Sequence, residues 1–131
     1  MVVDSSALVA VILVEPHAPR LTMALAGAER VRVSAGTYLE LSIVMARRHG
    51  EAGVREVDRL LDRFTVSVEP VTTAQAHIAR TAFVQFGKGR HRAGLNFGDC
   101  CTYALAEERG LPILCVGDDF RHTDLPVVPE V

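Results

Sequence analysis

The chain has no tryptophan, and its two tyrosines and five phenylalanines bring aromatic residues to only 5% of 131 positions. This scarcity argues against nucleic-acid binding by extensive base stacking. Lysine occurs once, at Lys88, and the formal net charge is −2, so any contact with nucleic acid has to come from a local basic segment. No apolar run approaches the roughly 18–20 residues of a membrane-spanning helix, and we therefore expect no membrane association.

Cysteine is also scarce, and the odd number formed by Cys100, Cys101 and Cys115 does not fit a disulfide framework. These residues predict buried, reduced thiols in a cytoplasmic protein. The five histidines show no zinc-ligand spacing with the cysteines. The glycine-rich motifs G-x-G-x-x-G and G-x-x-x-x-G-K-[ST] do not occur, which disfavours a nucleotide-binding domain.

Hydrophobic residues are plentiful, at 49% of the chain with a mean hydropathy of +0.22. This is enough for one core, and the length indicates a single domain over residues 1–131. The apolar segment 1–14 carries Asp4 and lacks a basic leader, so it predicts a strand followed by a helix and not a signal peptide.

Apolar spacing predicts strands and helices that alternate along the chain. The predicted strands are 1–3, 31–33, 66–68 and 112–116, with a short edge strand at 125–128. The predicted helices are 5–12, 16–27, one opened by Ser34 or Thr37 and stopped at Gly50, then 54–64, 73–86 and 100–109. This order indicates an α/β fold with a mostly parallel central sheet of four to five strands and helices on both faces.

Five acidic residues lie where predicted strands end or helices begin. They are Asp4, Glu40, Asp99, Asp118 and Asp119. Ligands of parallel sheets bind beyond the carboxyl ends of the strands, so these side chains can converge on one place. Clustered carboxylates repel one another unless a cation lies among them, and Mg²⁺ or Mn²⁺ is suited to oxygen ligands.

Helix capping offers another interpretation of each acid taken singly. Asp4 precedes a helix, and the spacings Thr37-x-x-Glu40 and Asn96-x-x-Asp99 fit or resemble capping boxes. The pair 118–119 can cap a final helical turn. Capping alone does not require acids at the strand ends of several α/β units, so the joint pattern favours a shared site.

Three segments carry a family resemblance that covers essentially the whole chain. They are 1–8 (MVVDSSAL), 95–100 (LNFGDC) and 116–124 (VGDDFRHTD). Together they resemble the motifs of PIN-domain ribonucleases and are closest to the VapC toxins of bacterial toxin–antitoxin pairs. The resemblance implies a PIN fold, a divalent-metal-dependent endoribonuclease that hydrolyses RNA phosphodiester bonds, and neutralisation by a cognate VapB antitoxin.

The resemblance also implies the residues of the active site. Asp4, Glu40 and Asp99 match three acids of the PIN family. The fourth acid comes just before a phenylalanine, where both Asp118 and Asp119 are available, and Asp118 is favoured because it lies nearer the strand end.

Ser6 matches a small hydroxyl residue that helps to position a metal-bound water or a carboxylate in such proteins. Mg²⁺ usually takes only one or two protein carboxylates directly and keeps several waters. We therefore expect Asp4 and Asp99 to be direct ligands of Mg²⁺, with Mn²⁺ as a substitute. Glu40 and Asp118 are expected to act through water or to hold a second metal.

The densest basic run, Lys88-Gly-Arg90-His-Arg92, lies just before Asp99. Lysine and arginine contacts to phosphates would give RNA affinity that depends on salt and not on sequence. The alternative is a solvated loop without a role in binding.

The apolar residues of the first two helices leave two interpretations open. These residues are Leu8, Val11, Ile12, Leu21 and Leu25. They can line a groove for an antitoxin helix or form a dimer interface, or they can be ordinary core. The resemblance favours the groove, with a homodimer that forms a heterotetramer or larger assembly with the antitoxin.

Two other functions remain as alternatives. A metal-dependent phosphatase can also use acids at strand ends, but a receiver-like site would need a lysine near a late strand, and the single lysine is Lys88. A PIN-like module that only binds RNA or protein would be expected if an acid were missing, and none is.

Overall fold

The computed structural model describes residues 1–129 and has an α/β architecture. The strands are β1 (Val2–Val3), β2 (Arg32–Ser34), β3 (Ser67–Glu69) and β4 (Ile113–Leu114). The helices are α1 (Ser5–Ile12), α2 (Ala18–Gly27), α3 (Ala35–Arg63), α4 (Thr73–Phe86) and α5 (Phe97–Arg109), followed by a 3-10 turn at Phe120–His122. The strands form one sheet in the order β3-β2-β1-β4, with every neighbouring pair parallel. The predicted fold class is therefore confirmed.

Alternation along the central strands divides the core into two halves. Val3 and Leu114 point into the half covered by α1, α2 and α3, whereas Val2 and Ile113 point into the half covered by α4 and α5. Because successive strand residues face opposite sides of a sheet, two apolar residues in a row indicate a strand that is covered on both faces.

Most residues proposed to line a groove on α1 and α2 belong instead to this core. Leu8, Leu21 and Leu25 are at most 2% exposed. Val11 and Ile12 are partly buried and pack against the same cluster. The core interpretation is thus correct for these residues, and a docking groove has to be sought elsewhere.

Several predicted boundaries differ from the structure for local reasons. Helix α5 begins at Phe97 and not at Cys100, because Asn96 caps it. The predicted helix stop at Gly50 is confirmed, since helical geometry is interrupted there with φ 61° and ψ −152°, and α3 consists of two helical arms joined at this kink. Within residues 1–129, the predicted fifth strand is reduced to a single bridge between Val127 and Ile113. Residues 130–131 of the predicted domain lie outside the described residues.

The carboxyl ends of the strands lie at one edge of the sheet, and the amino-terminal turn of α5 is fastened to the same edge. The hydroxyl of Thr37, on α3 just after β2, donates to the carbonyl of Gly98 on α5 at 3.1 Å. Side chains that follow β1 and β2 therefore lie beside those that open α5. In the part of the chain that the structure describes, no helix is long and apolar enough to cross a membrane.

Candidate active site

Asp4 is a buried carboxylate held by three donors. It directly follows β1, is 2% exposed and is the N-cap of α1. Its Oδ2 accepts from the Ser6 amide at 2.9 Å and from the Ser6 hydroxyl at 2.7 Å, and its Oδ1 accepts from the Thr102 hydroxyl at 2.9 Å. The Ser6 Oγ also accepts from the Val116 amide at 3.1 Å, which ties α1 to the end of β4. Ser6 thus positions a carboxylate, one of the two roles expected for it.

Asp99 combines a capping role with a position among other acids. Its carboxylate accepts from the Asn96 amide at 3.0 Å, and its own amide donates to the Asn96 side chain at 2.9 Å, which completes a capping box. The pKa of Asp99 is nevertheless raised to about 7. Burial is the largest cause, the Asn96 amide opposes it, and the charges of Asp4, Asp119 and Glu40 add to the rise. The capping interpretation therefore holds for Asp99, and the charges of the other three acids reach it as well.

Glu40 reaches this cluster because the residue beside Asp99 is a glycine. Its carboxylate lies so close to Gly98 that a Cβ at position 98 would overlap both carboxylate oxygens. The proposed capping box of Thr37 with Glu40 is wrong, since α3 is capped by Ser34 and Thr37 lies buried inside the helix. Capping therefore does not explain the acid at position 40.

The two adjacent acids after β4 lie in different surroundings. Asp118 is 77% exposed, and its Oδ1 lies 3.6 Å from the Nε of Arg121. Asp119 makes no side-chain capping bond, and its charge raises the pKa values of Asp99 and Cys115. The arrangement brings Asp119 toward the cluster, whereas the sequence favoured Asp118.

The cysteines are free and buried, as predicted. Burial raises the pKa of Cys115 to about 12 with a contribution from Asp4, and burial raises the pKa of Cys100 to about 11 with contributions from Asp99 and Cys101. These thiols stay protonated at neutral pH in the metal-free protein, so they are not nucleophiles there.

The donors of the cluster fit a hard divalent cation. All are carboxylate oxygens, and their mutual repulsion on Asp99 is relieved by positive charge. Within residues 1–129, no three histidine, cysteine, aspartate or glutamate side chains form a ready-made metal cage. Mg²⁺ needs no such cage, because it commonly binds one or two carboxylates directly and keeps its other waters.

The basic segment before α5 is an ordered loop with exposed cations. It is closed by a bridge between Gly87 and Leu95. The Arg90 Nε donates to the carbonyl of Val84 at 3.0 Å, and His91 accepts from a backbone amide through Nδ1. Lys88, Arg90 and Arg92 are exposed and precede the Asn96 cap that holds Asp99. The loop offers positive charge on the surface directly before the acidic site.

Sequence reasoning missed Thr102 and gave Thr37 only a capping role, and both residues are 0% exposed. Thr102 lies three residues after Asp99 on α5, and Thr37 lies three residues before Glu40 on α3. Helical periodicity places each hydroxyl on the same face as its acid, which was the available signal. Only the packing of α3 against α5 brings the two hydroxyls together.

Comparisons with known proteins agree with this architecture. The sequence profile of the family described as PIN domain matches residues 1–125. Ribonuclease VapC30 of Mycobacterium tuberculosis is 48% identical over 129 residues, covering 98% of each chain. The crystal structure of Mycobacterium tuberculosis VapC20, described as a sarcin-ricin loop cleaving toxin, has a TM-score of 0.79 at 20% identity and covers 98% of each chain. VapBC2 of Rickettsia felis, bound to a DNA fragment from its promoter, has a TM-score of 0.74 at 16% identity, with 97% of this chain and 96% of that chain covered.

Proposed function

The chain belongs to the PIN-domain family, among the VapC ribonucleases, and from that membership we propose that it is the toxin of a VapBC-type toxin–antitoxin pair. Its activity is Mg²⁺-dependent endoribonucleolytic hydrolysis of RNA. The observation that carries the proposal is the approach of Asp4, Glu40 and Asp119 to Asp99, whose pKa is raised first by burial and then by the charges of these three acids.

Asp4 and Asp99 are the proposed direct ligands of Mg²⁺, with Mn²⁺ as a substitute. Glu40 and Asp119 act through water or hold a second ion. A divalent ion supplies Lewis acidity and lowers the pKa of bound water, which are the two requirements of phosphodiester hydrolysis. Asp118 is the less suitable fourth acid, because it is 77% exposed and points toward Arg121, whose Nε lies 3.6 Å from its Oδ1.

The chain's own contribution is a set of oxygens fixed before substrate arrives. Ser6 and Thr102 hold the Asp4 carboxylate in one orientation. Asn96 holds Asp99, and the absence of a side chain at Gly98 admits Glu40 beside it. Side chains placed in advance do not have to reorganise in the transition state, which is the main source of electrostatic catalysis.

The ordered basic loop is the proposed contact for the RNA backbone. We expect the double substitution of Lys88 and Arg92 by alanine to weaken RNA binding and to lower the salt dependence of affinity by about one to two units of slope. Affinity for a fluorescent single-stranded RNA, measured by anisotropy between 50 and 300 mM salt, tests this.

Alanine at both Arg55 and Arg59 is the matched control. These exposed arginines lie on the second arm of α3, where they pair with Glu51 and Glu56. The control should leave the salt slope unchanged. If the loop variant also keeps the wild-type slope, the loop is only a solvated connection.

A cavity of about 300 Å³ beside the acids is the proposed site for an antitoxin segment. It lies between α1 and α3 and has an apolar lining that includes Val9, Leu41 and Val44. Its charged groups are the acidic Glu15 and Glu40 and the basic Arg48. This combination suits an amphipathic helix that carries a basic side chain toward Glu40. Complexes with antitoxins among structures of similar fold support a partner of this kind.

A second copy of the chain is the proposed occupant of an apolar groove of about 480 Å³ between α4 and α5. Phe97 and Phe83 are 73% and 42% exposed there, and Val71 is 43% exposed. Apolar side chains grouped in this way mark an interaction surface more often than a free one.

Both partner surfaces are tested by co-expression with the product of a small reading frame that abuts this one. Light scattering should give twice 14.2 kDa for the chain alone and a heterotetramer or larger species with the antitoxin.

Val44→Arg should weaken antitoxin binding by about 10-fold or more, because it places a charge in the cavity. Ile43→Arg, at the neighbouring exposed position, should not, and equal losses from both variants would contradict the assignment of the cavity.

A further inference from the structure

Among the contacts of residues 1–129, the hydrogen bonds of Asp4 leave it with one unused acceptor position. An ionised carboxylate has about four lone-pair sites, two on each oxygen. On Oδ2 both are taken, by the amide and the hydroxyl of Ser6 at 2.9 and 2.7 Å. On Oδ1 one is taken by the Thr102 hydroxyl at 2.9 Å. The remaining lone pair of Asp4 is therefore on Oδ1.

The direction of the Thr102 hydroxyl follows from counting protons. Thr37 Oγ1 lies 2.9 Å from Thr102 Oγ1 and 3.1 Å from the carbonyl oxygen of Gly98. Together with the contact to Asp4, this makes three short contacts for two hydroxyl protons, and neither the carbonyl nor an ionised carboxylate can donate. Hydrogen bonds to a charged acceptor are about twice as strong as neutral ones, so Thr102 donates to Asp4.

Thr37 is then the neutral partner that supports this donor. Once the Thr102 proton points to Asp4, the Thr37 hydroxyl supplies the proton for both of its own contacts, and shares it between the Thr102 oxygen and the Gly98 carbonyl. Such chains of donors strengthen one another in a low-dielectric interior. Both hydroxyls are 0% exposed, so water does not compete for them.

We propose that Thr102 is a positioning residue that fixes Asp4 so that Oδ1 alone binds the divalent cation, with Thr37 in a supporting role. This rests on the proposed function, in which Asp4 is a metal ligand. Thr102 sets the direction of the one remaining lone pair, while Ser6 blocks the second oxygen from joining the coordination. The contact also connects α5, which carries Asp99, directly to the acid after β1.

The test is the affinity of the metal-free protein for Mn²⁺, measured by electron paramagnetic resonance of the unbound ion. Thr102→Val, which replaces the hydroxyl with a methyl of similar size, is expected to weaken Mn²⁺ binding by about 10-fold to 100-fold, as loss of a residue that orients a metal ligand does. Thr102→Ser should bind like the wild type. Thr37→Val should change affinity by no more than about threefold, because Thr102 keeps its own proton.

The melting temperature of each metal-free variant separates positioning from general damage to the fold. A Thr102→Val protein that melts lower but binds Mn²⁺ as the wild type does would overturn the proposal, as would a Thr102→Ser protein that fails to restore affinity. A larger loss of Mn²⁺ affinity from Thr37→Val than from Thr102→Val would also contradict the proposal, because it would mean that Thr102 donates to Thr37 and not to Asp4. Wild-type protein that binds no Mn²⁺ would instead defeat the metal-dependent function and this inference together.

Discussion

Replacing Asp99 by asparagine is expected to reduce Mg²⁺-dependent RNA cleavage by at least about 100-fold. Asparagine has nearly the same shape, but it removes one negative charge from the site where the cation binds. A pool of short random-sequence RNA carrying a fluorophore and a quencher measures the rate, with EDTA as the metal-free reference. Retained cleavage by carefully purified Asp99→Asn protein would contradict the metal-site assignment.

The same substitution should not unfold the protein. The asparagine oxygen can still accept from the Asn96 amide, and the repulsion that Asp99 feels from Asp4, Asp119 and Glu40 disappears. We therefore expect the metal-free variant to melt at the wild-type temperature or above it. Loss of activity together with a lower melting temperature would point to a structural cause.

The two adjacent acids after β4 supply a matched pair of variants for this experiment. Asp119→Asn should lower the cleavage rate. The charge of Asp119 raises the pKa of Asp99, so this carboxylate lies near enough to Asp99 to help attract the proposed cation. Asp118→Asn should leave cleavage within about threefold, because Asp118 is 77% exposed and pairs with Arg121. The opposite order of effects would restore Asp118 as the fourth acid.

The stability of the metal-free protein is expected to fall as pH rises from about 4 to 7. The pKa of Asp99 is raised from 3.8 to about 7 in the folded chain, first by burial and then by neighbouring carboxylates. Below the unfolded value the carboxyl is protonated in both states, and its full contribution to stability is present. As pH rises, the unfolded chain releases this proton before the folded chain does, so the free energy of unfolding decreases until pH passes about 7.

Saturating Mg²⁺ should remove most of this loss, because the cation takes over the role of the proton among the carboxylates. Urea denaturation at half-unit intervals from pH 4 to 8, with EDTA or with Mg²⁺, gives both curves. Other groups titrate in this range, so the informative quantity is the difference between wild type and Asp99→Asn in EDTA. A difference that does not change with pH would mean that Asp99 is not the responsible group.

Much of the architecture could be predicted from local patterns. The alternation of strands and helices indicated a sheet covered on both faces, and Val2 and Val3 do point into opposite halves of the core. Helix boundaries were predicted less completely, because the effect of a capping or helix-breaking residue depends on the side chains that pack around it. Gly50 interrupts the helical geometry as predicted, but the second arm of α3 follows directly after the kink, held by its own buried residues Val57 and Leu61.

The candidate site was likewise predictable only in part from the sequence. The positions of Asp4 and Asp99 follow from strand and helix ends, which sequence pattern reveals. The preference for Asp118 rested on its nearness to the strand end alone. Its pairing with Arg121 one turn later, and the approach of Asp119 to Asp99, depend on how the 3-10 turn packs through the buried Phe120.

The sequence by itself determined the order of strands and helices, the carboxylates at their junctions and the family to which the chain is similar, because these depend on local spacing and on motifs. Tertiary structure alone decided which oxygens face one another. Thr37 and Thr102 are 65 residues apart in the chain, yet their hydroxyls lie 2.9 Å apart, and Thr102 reaches Asp4 across a separation of 98 residues. Such contacts arise only when two helices pack at the same edge of a sheet, and no pattern within either helix encodes the distance between them.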